Sequence, residues 1–117
     1  MNIGLGHALR GLAFLIKTQR NARLHLMTTV LVITLGLCLQ IERSEWALIL
    51  LATALVWCAE TFNTAVERLA DRVTMERDPL IKQAKDLAAG AVVCACVGAA
   101  SVGIIILGPA LWSRLGG

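Results

Sequence analysis

Residues 46–71 read WALILLATALVWCAETFNTAVERLAD. From Trp46 to Ala59 there is no charge; then Glu60, Asn63, Glu67 and Asp71 enter at intervals of three or four. At helical period those four positions stay within about 80° of one another, so they form a stripe down one face. Counted from Trp46, Glu60 lies about 21 Å along the axis, Asn63 about 25 Å, Glu67 about 31 Å and Asp71 about 37 Å. Against about 30 Å of hydrocarbon, Glu60 falls inside a bilayer and the stripe descends from it to the surface. Thr64 borders the same face.

Two more uncharged stretches, Leu24–Ile41 and Leu87–Ser113, flank this one. Each approaches or exceeds the ~20 apolar residues a spanning helix needs. The hydrophobic content of 57% and mean hydropathy of +0.73 also exceed soluble-domain usage, so the solvent is lipid. The expected fold is all-α and integral to the membrane, a single domain over residues 1–117. It comprises a surface helix at about 4–20 and spans at about 24–41, 45–70 and 86–108. No apolar core precedes Leu24 and no cleavage pattern follows it closely, so an export signal is not expected. Cys38, Cys58, Cys94 and Cys96 all fall in spans without metal-ligand spacing and read as small packing residues.

The charges orient the chain. Arg10, Lys17, Arg20 and Arg23 precede the first span, and Arg68, Arg72, Arg77, Lys82 and Lys85 surround the second connection. The other ends carry only Arg43 and Arg114. The positive-inside rule then puts the N-terminus and second connection in the cytoplasm and the C-terminus outside, with Trp46 and Trp112 at the outer interface. Leu5, Leu9, Leu12 and Ile16 recur at helical spacing opposite His7, Arg10 and Lys17, which describes a basic amphipathic helix on the cytoplasmic surface. Ser44 followed by Glu45 reads as an N-cap with a first-turn acid. Asp78-Pro79 reads as cap and first helical residue of the third span, which Gly108-Pro109 should end. Ala91, Ala95, Ala99 and Gly103, every fourth residue, give that helix a close-packing face.

An acid this deep costs on the order of 2.5–3.5 kcal/mol on insertion scales. Arg68 and Arg72 point about 100° away, so compensation must come from another helix, a metal ion or a ligand. The stripe suits subunit glue, an ion or proton carrier built on Glu60, a non-enzymatic interaction face, or chemistry at the boundary of two phases. For the last, Glu60 stands near the depth of a lipid hydroxyl, while Glu67 and Asp71 stand where a water-soluble cosubstrate arrives. Phosphoryl transfer to a lipid alcohol needs a base there, magnesium held by carboxylates and a fixed cation, for which Lys85 is placed. No GxxxxGK[ST] loop occurs, and Gly4, Gly6 and Gly11 do not make a kinase glycine loop.

Glu60-Thr61-Phe62-Asn63-Thr64-Ala65-Val66-Glu67, then Asp71 and Ala84-Lys85-Asp86, resembles the prokaryotic diacylglycerol kinase and undecaprenol kinase family. The likeness covers nearly the whole chain. Arg20-Asn21-Ala22-Arg23-Leu24-His25 and Ala84-Lys85-Asp86-Leu87-Ala88-Ala89-Gly90-Ala91-Val92 look more like the undecaprenol kinase branch. The resemblance implies a homotrimer of the bacterial inner membrane with shared active sites, using ATP and Mg2+ to phosphorylate a primary lipid hydroxyl, of undecaprenol or diacylglycerol. It implies Glu60 as general base, Glu67 as a magnesium ligand, and Asn63, Asp71, Lys85 and Asp86 as nucleotide-site residues. Gln19 stands where the family has a second magnesium-binding glutamate, and an amide oxygen still coordinates, without charge. The partners expected are the bilayer, the lipid alcohol and ATP, and no nucleic acid.

Overall fold

A computed structural model describes the backbone of residues 2–117 and the side chains of 4–117. It is four helices in a row: α1 (Asn2–Thr18), α2 (Arg20–Leu39), α3 (Arg43–Val73) and α4 (Pro79–Arg114). α2, α3 and α4 are each long and apolar enough to cross a membrane. The chain is elongated, 57 × 36 × 21 Å, and α4 lies mainly against α3.

Lipid as solvent explains the packing. Among the described residues the buried apolar side chains are Leu15, Ala22, Ile49, Val56, Ala70 and Ile106. Large residues such as Leu37, Leu51, Phe62, Leu87 and Ile104 face outward instead. A surface this apolar would aggregate in water, whereas hydrocarbon neither penalises it nor drives the helices together. Helix contact then depends on close approach and polar links. At the first turn, a Cβ added to Gly36 would lie 2.7 Å from the Trp46 ring, so only glycine lets that indole fold back on α2. Gln40 closes α2 in the left-handed region, φ 53°, ψ 52°, and the Ile41 N–H donates to the Gly36 carbonyl.

Two expected helix ends move, and the cysteines do not pack as expected. α3 begins at Arg43 rather than after Ser44, with Glu42 at the N-cap. The Glu42 N–H donates to Glu45 Oε1 at 3.0 Å, so the first-turn acid caps an earlier start than Ser44 would set. Gly108-Pro109 does not end α4, which continues to Arg114 with Pro109 inside it. Proline forfeits one backbone bond, freeing the carbonyl of Ile105, and only about one more turn of helix follows it. Cys38, Cys58 and Cys94 face outward and only Cys96 is half-buried, so they do not pack the chain's interior. The start of α4 is fastened by Asp78, whose Oδ1 accepts from Leu80 N at 2.9 Å and Ile81 N at 3.3 Å.

The break between α1 and α2 is one extended residue, Gln19. Arg23 Nη1 donates to the carbonyls of Ile16 and Lys17, both at 3.1 Å, closing the open end of α1. Arg68 of α3 stacks on Phe14 of α1, 4.6 Å from guanidinium to ring centroid. α1 is thereby held beside the stripe end of α3, with Leu5, Leu9 and Leu12 exposed.

Candidate active site

Glu60, in the middle of α3, is 2% exposed, an unusual setting for a carboxylate. The partner it requires comes from α2: His25 Nε2 stands 3.5 Å from Glu60 Oε2. That separation is long for a hydrogen bond, and among the described residues Oε2 has no other partner. The imidazole packs edge-on against Trp57, centroids 6.5 Å apart at 64°. Trp57 Nε1 donates to Thr29 Oγ1 at 3.0 Å, and Thr29 Oγ1 donates to the His25 carbonyl at 2.7 Å. α2 is thus bolted to α3 one turn from Glu60, with the imidazole aimed at the carboxylate.

One turn further, Asn63 Oδ1 and Thr64 Oγ1 are also buried and make no hydrogen bond among the described residues. Beyond them Glu67 is half-buried, and Asp71 Oδ1 accepts from Lys85 Nζ of α4 at 2.7 Å. Lys85 lies on the turns of α4 that precede its apolar span. The hydrogen bond its ammonium donates to Asp71, and lesser attraction from Asp71 and Glu67, raise Lys85 above the usual lysine range against a smaller desolvation effect. A cation is therefore fixed at the stripe's wet end throughout the neutral range.

Of the residues expected at the site, the structure brings Asp71 and Lys85 into direct contact across α3 and α4. Asp86 is turned elsewhere: its Oδ2 accepts from Lys82 one turn back at 2.7 Å, with both side chains exposed. Gln19 lies at the α1–α2 break, and its amide donates only to Thr18 Oγ1, at 3.4 Å, among the described residues. His25 was quoted above only as part of a motif; its place in the site was missed. Matching depth could have found it, since five residues past Arg20 put it about 7.5 Å up its helix, near the level of Glu60.

Beside this site a cavity of about 540 Å³ opens between α2, α3 and α4. It begins at His25 and Thr29, passes Thr53 and Ile49, and ends at Leu111 near the far end of the bundle. Its walls are overwhelmingly apolar, so the buried carboxylate region adjoins a slot for hydrocarbon.

The model of the prokaryotic diacylglycerol kinase family matches residues 6–107, most of the chain. The chain belongs to the prokaryotic diacylglycerol kinases. Undecaprenol kinase of Bacillus subtilis is 35% identical over 105 residues, 90% of this chain and 85% of the relative. Diacylglycerol kinase of Synechocystis is 39% identical over 114 residues, 97% of this chain and 65% of the relative. Diacylglycerol kinase of Pseudomonas aeruginosa is 33% identical over 86 residues, 74% of this chain and 70% of the relative. This kinase is accordingly a lipid kinase of a bacterial membrane, and nothing in these likenesses supports an ion or proton carrier.

Among the described residues of the kinase no group of three or more His, Cys, Asp or Glu side chains converges as a metal cage. Magnesium at a nucleotide needs no such cage, since it keeps waters and phosphate oxygens and takes one or two carboxylates. Glu67, half-buried and near the fixed charge of Lys85, is a donor of that kind. The donor set therefore fits a phosphate-borne magnesium ion better than a resident one.

Proposed function

We propose that this kinase transfers the γ-phosphoryl group of ATP to the primary hydroxyl of a membrane lipid. Undecaprenol is the preferred acceptor and diacylglycerol the second, giving undecaprenyl phosphate or phosphatidic acid. The observation that carries the reading is the division of one helix: a buried carboxylate beside an imidazole that lines an apolar cavity, then a carboxylate–ammonium pair at the wet end. The lipid chain follows the cavity between α2, α3 and α4 and presents its hydroxyl at Glu60. Its oxygen attacks the γ-phosphorus, the bond to the β-phosphate oxygen breaks, ADP leaves, and the hydroxyl proton passes to Glu60. His25, 3.5 Å from its carboxylate, orients Glu60. Asn63, Asp71, Lys85 and Asp86 bind the nucleotide, with Lys85 opposing the charge on the phosphates.

Glu67 and Gln19 would hold magnesium, which when bound neutralises phosphate charge. Changing Gln19→Glu should lower the magnesium concentration needed for half-maximal turnover, and an unaltered magnesium dependence excludes Gln19 from the site. The whole of residues 1–117 forms one kinase domain in the inner membrane, α1 on the cytoplasmic surface and the C-terminus outside. The open space around Gly90 and Gly98 of α4 suits close approach by neighbouring helices in a homotrimer that shares active sites. Purified protein in detergent should label undecaprenol from radioactive ATP more efficiently than diacylglycerol at matched magnesium. An inert undecaprenol with a reactive diacylglycerol reverses the preference, and two inert lipids refute the function.

A further inference from the structure

Six threonines inside helices spend their hydroxyls in the same way. Thr18, Thr28, Thr29, Thr34, Thr53 and Thr61 each donate to the carbonyl four residues back, at 2.7–3.0 Å. This is the default for a hydroxyl in an apolar setting, because the nearest acceptor is always there. Thr64 departs from it. Its side chain is 5% exposed, its Oγ1 has no hydrogen-bond partner among the described residues, and the Glu60 carbonyl four residues back is left unused by it. A buried hydroxyl without a partner is costly in a protein and more so in a membrane, so its aim calls for a ligand group.

The vacant atoms around it define that group. Glu60 Oε2 is buried one turn away and, with His25 at 3.5 Å, makes no hydrogen bond among the described residues, and side chains so spaced have Cβ atoms about 5–6 Å apart. One alcohol group bridges such a gap, giving its proton to the carboxylate and accepting the proton of the threonine hydroxyl. We infer that Thr64 is a substrate-binding residue that holds the oxygen of the lipid's primary hydroxyl between its own Oγ1 and Glu60. This rests on the lipid kinase reading above. The bridged oxygen keeps one lone pair free to form the new P–O bond, while its proton moves to Glu60 and ADP departs.

The test compares wild type, Thr64→Val, Thr64→Ser and Glu60→Gln in detergent with ATP and either undecaprenol or diacylglycerol, alongside oligomer mass by light scattering. Valine keeps the shape and removes the hydroxyl; serine keeps the hydroxyl. Thr64→Val should lower kcat/KM for the lipid about 10- to 100-fold, leave the KM for ATP and the oligomer mass at wild-type values, and be rescued by serine. Wild-type kinetics in Thr64→Val, or a loss that comes with altered oligomer mass, overturns the assignment, the latter by making Thr64 a contact between subunits. If valine misfolds, Thr64→Ala is held to the same split between the two KM values. Activity in Glu60→Gln, or none in wild type, refutes the kinase reading itself, whereas a dead Glu60→Gln beside a fully active Thr64→Val refutes only the role of Thr64.

Discussion

Among the described residues α3 makes two links to its neighbours between ionisable side chains, and they are opposites. Toward α2, Glu60 and His25 are dry and slack, 3.5 Å apart with Glu60 2% exposed. Toward α4, Asp71 and Lys85 are wet and tight, 2.7 Å apart with side chains 45% and 39% exposed. If these links served only to hold helices together, the tight one would belong where water is absent and each hydrogen bond matters most. The reverse arrangement leaves the interior acid uncommitted, α2 being fastened instead by Trp57 and Thr29 beside it, and gives the tight ionic contact to groups that water already screens. A base must be free to accept a proton, whereas a phosphate-binding cation must only remain charged.

The largest effect should come from the dry link. Glu60→Gln keeps size and removes basicity, so lipid phosphorylation should fall at least 10²- to 10⁴-fold while the circular dichroism and oligomer mass stay unchanged. Substantial turnover in this variant would collapse the distinction between the links. Lys85→Met should follow with a loss of about 10²-fold and a raised KM for ATP, since the cation is removed but its frame remains. The wild-type ammonium is raised from 10.5 by Asp71, so it is charged at every lower pH and is lost only as pH climbs through its raised value. An activity limb falling between pH 7 and 9 therefore belongs to another group, and its persistence in Lys85→Met is the check.

His25→Ala comes next, at roughly tenfold in kcat with KM for ATP unchanged, because Glu60 loses an orienting neighbour and keeps its chemistry. A rise in KM for ATP would move His25 to the other link. Smallest in activity is Gly36→Ala, remote from both links. Its Cβ meets the Trp46 ring at 2.7 Å, an overpacking of about 1–3 kcal/mol. Thermal unfolding in detergent should detect it, with turnover per folded molecule intact.

The sequence made the spans and the stripe legible because both are local properties, a run without charge and a period close to four. The Asp78-Pro79 start of α4 was legible for the same reason: cap and first turn lie side by side in the chain. What it hid depends on partners distant in sequence. His25 and Glu60 are 35 positions apart and meet only because the Gly36–Trp46 contact folds α3 back on α2. The start of α3 was misplaced because Ser44 has the better capping chemistry, yet Glu45 reaches back to Glu42. The end of α4 was misplaced because a proline near a helix terminus removes too little to stop it. Thr64 was read as bordering the stripe, and nothing in the sequence distinguishes it from the six threonines that satisfy themselves.

α3 is 31 residues long, about 46 Å, well beyond the hydrocarbon it crosses. Trp46, seated on Gly36, marks one end of that rod, and Glu60 lies a fixed 14 positions along it. A lipid hydroxyl takes its level from the bilayer surface, so acyl length decides whether hydroxyl and carboxylate meet. Bilayer thickness thereby becomes a reaction coordinate for this enzyme. Turnover measured across vesicles of graded acyl length should pass through a maximum, and hydrophobic mismatch on either side should act as an inhibitor with no binding site.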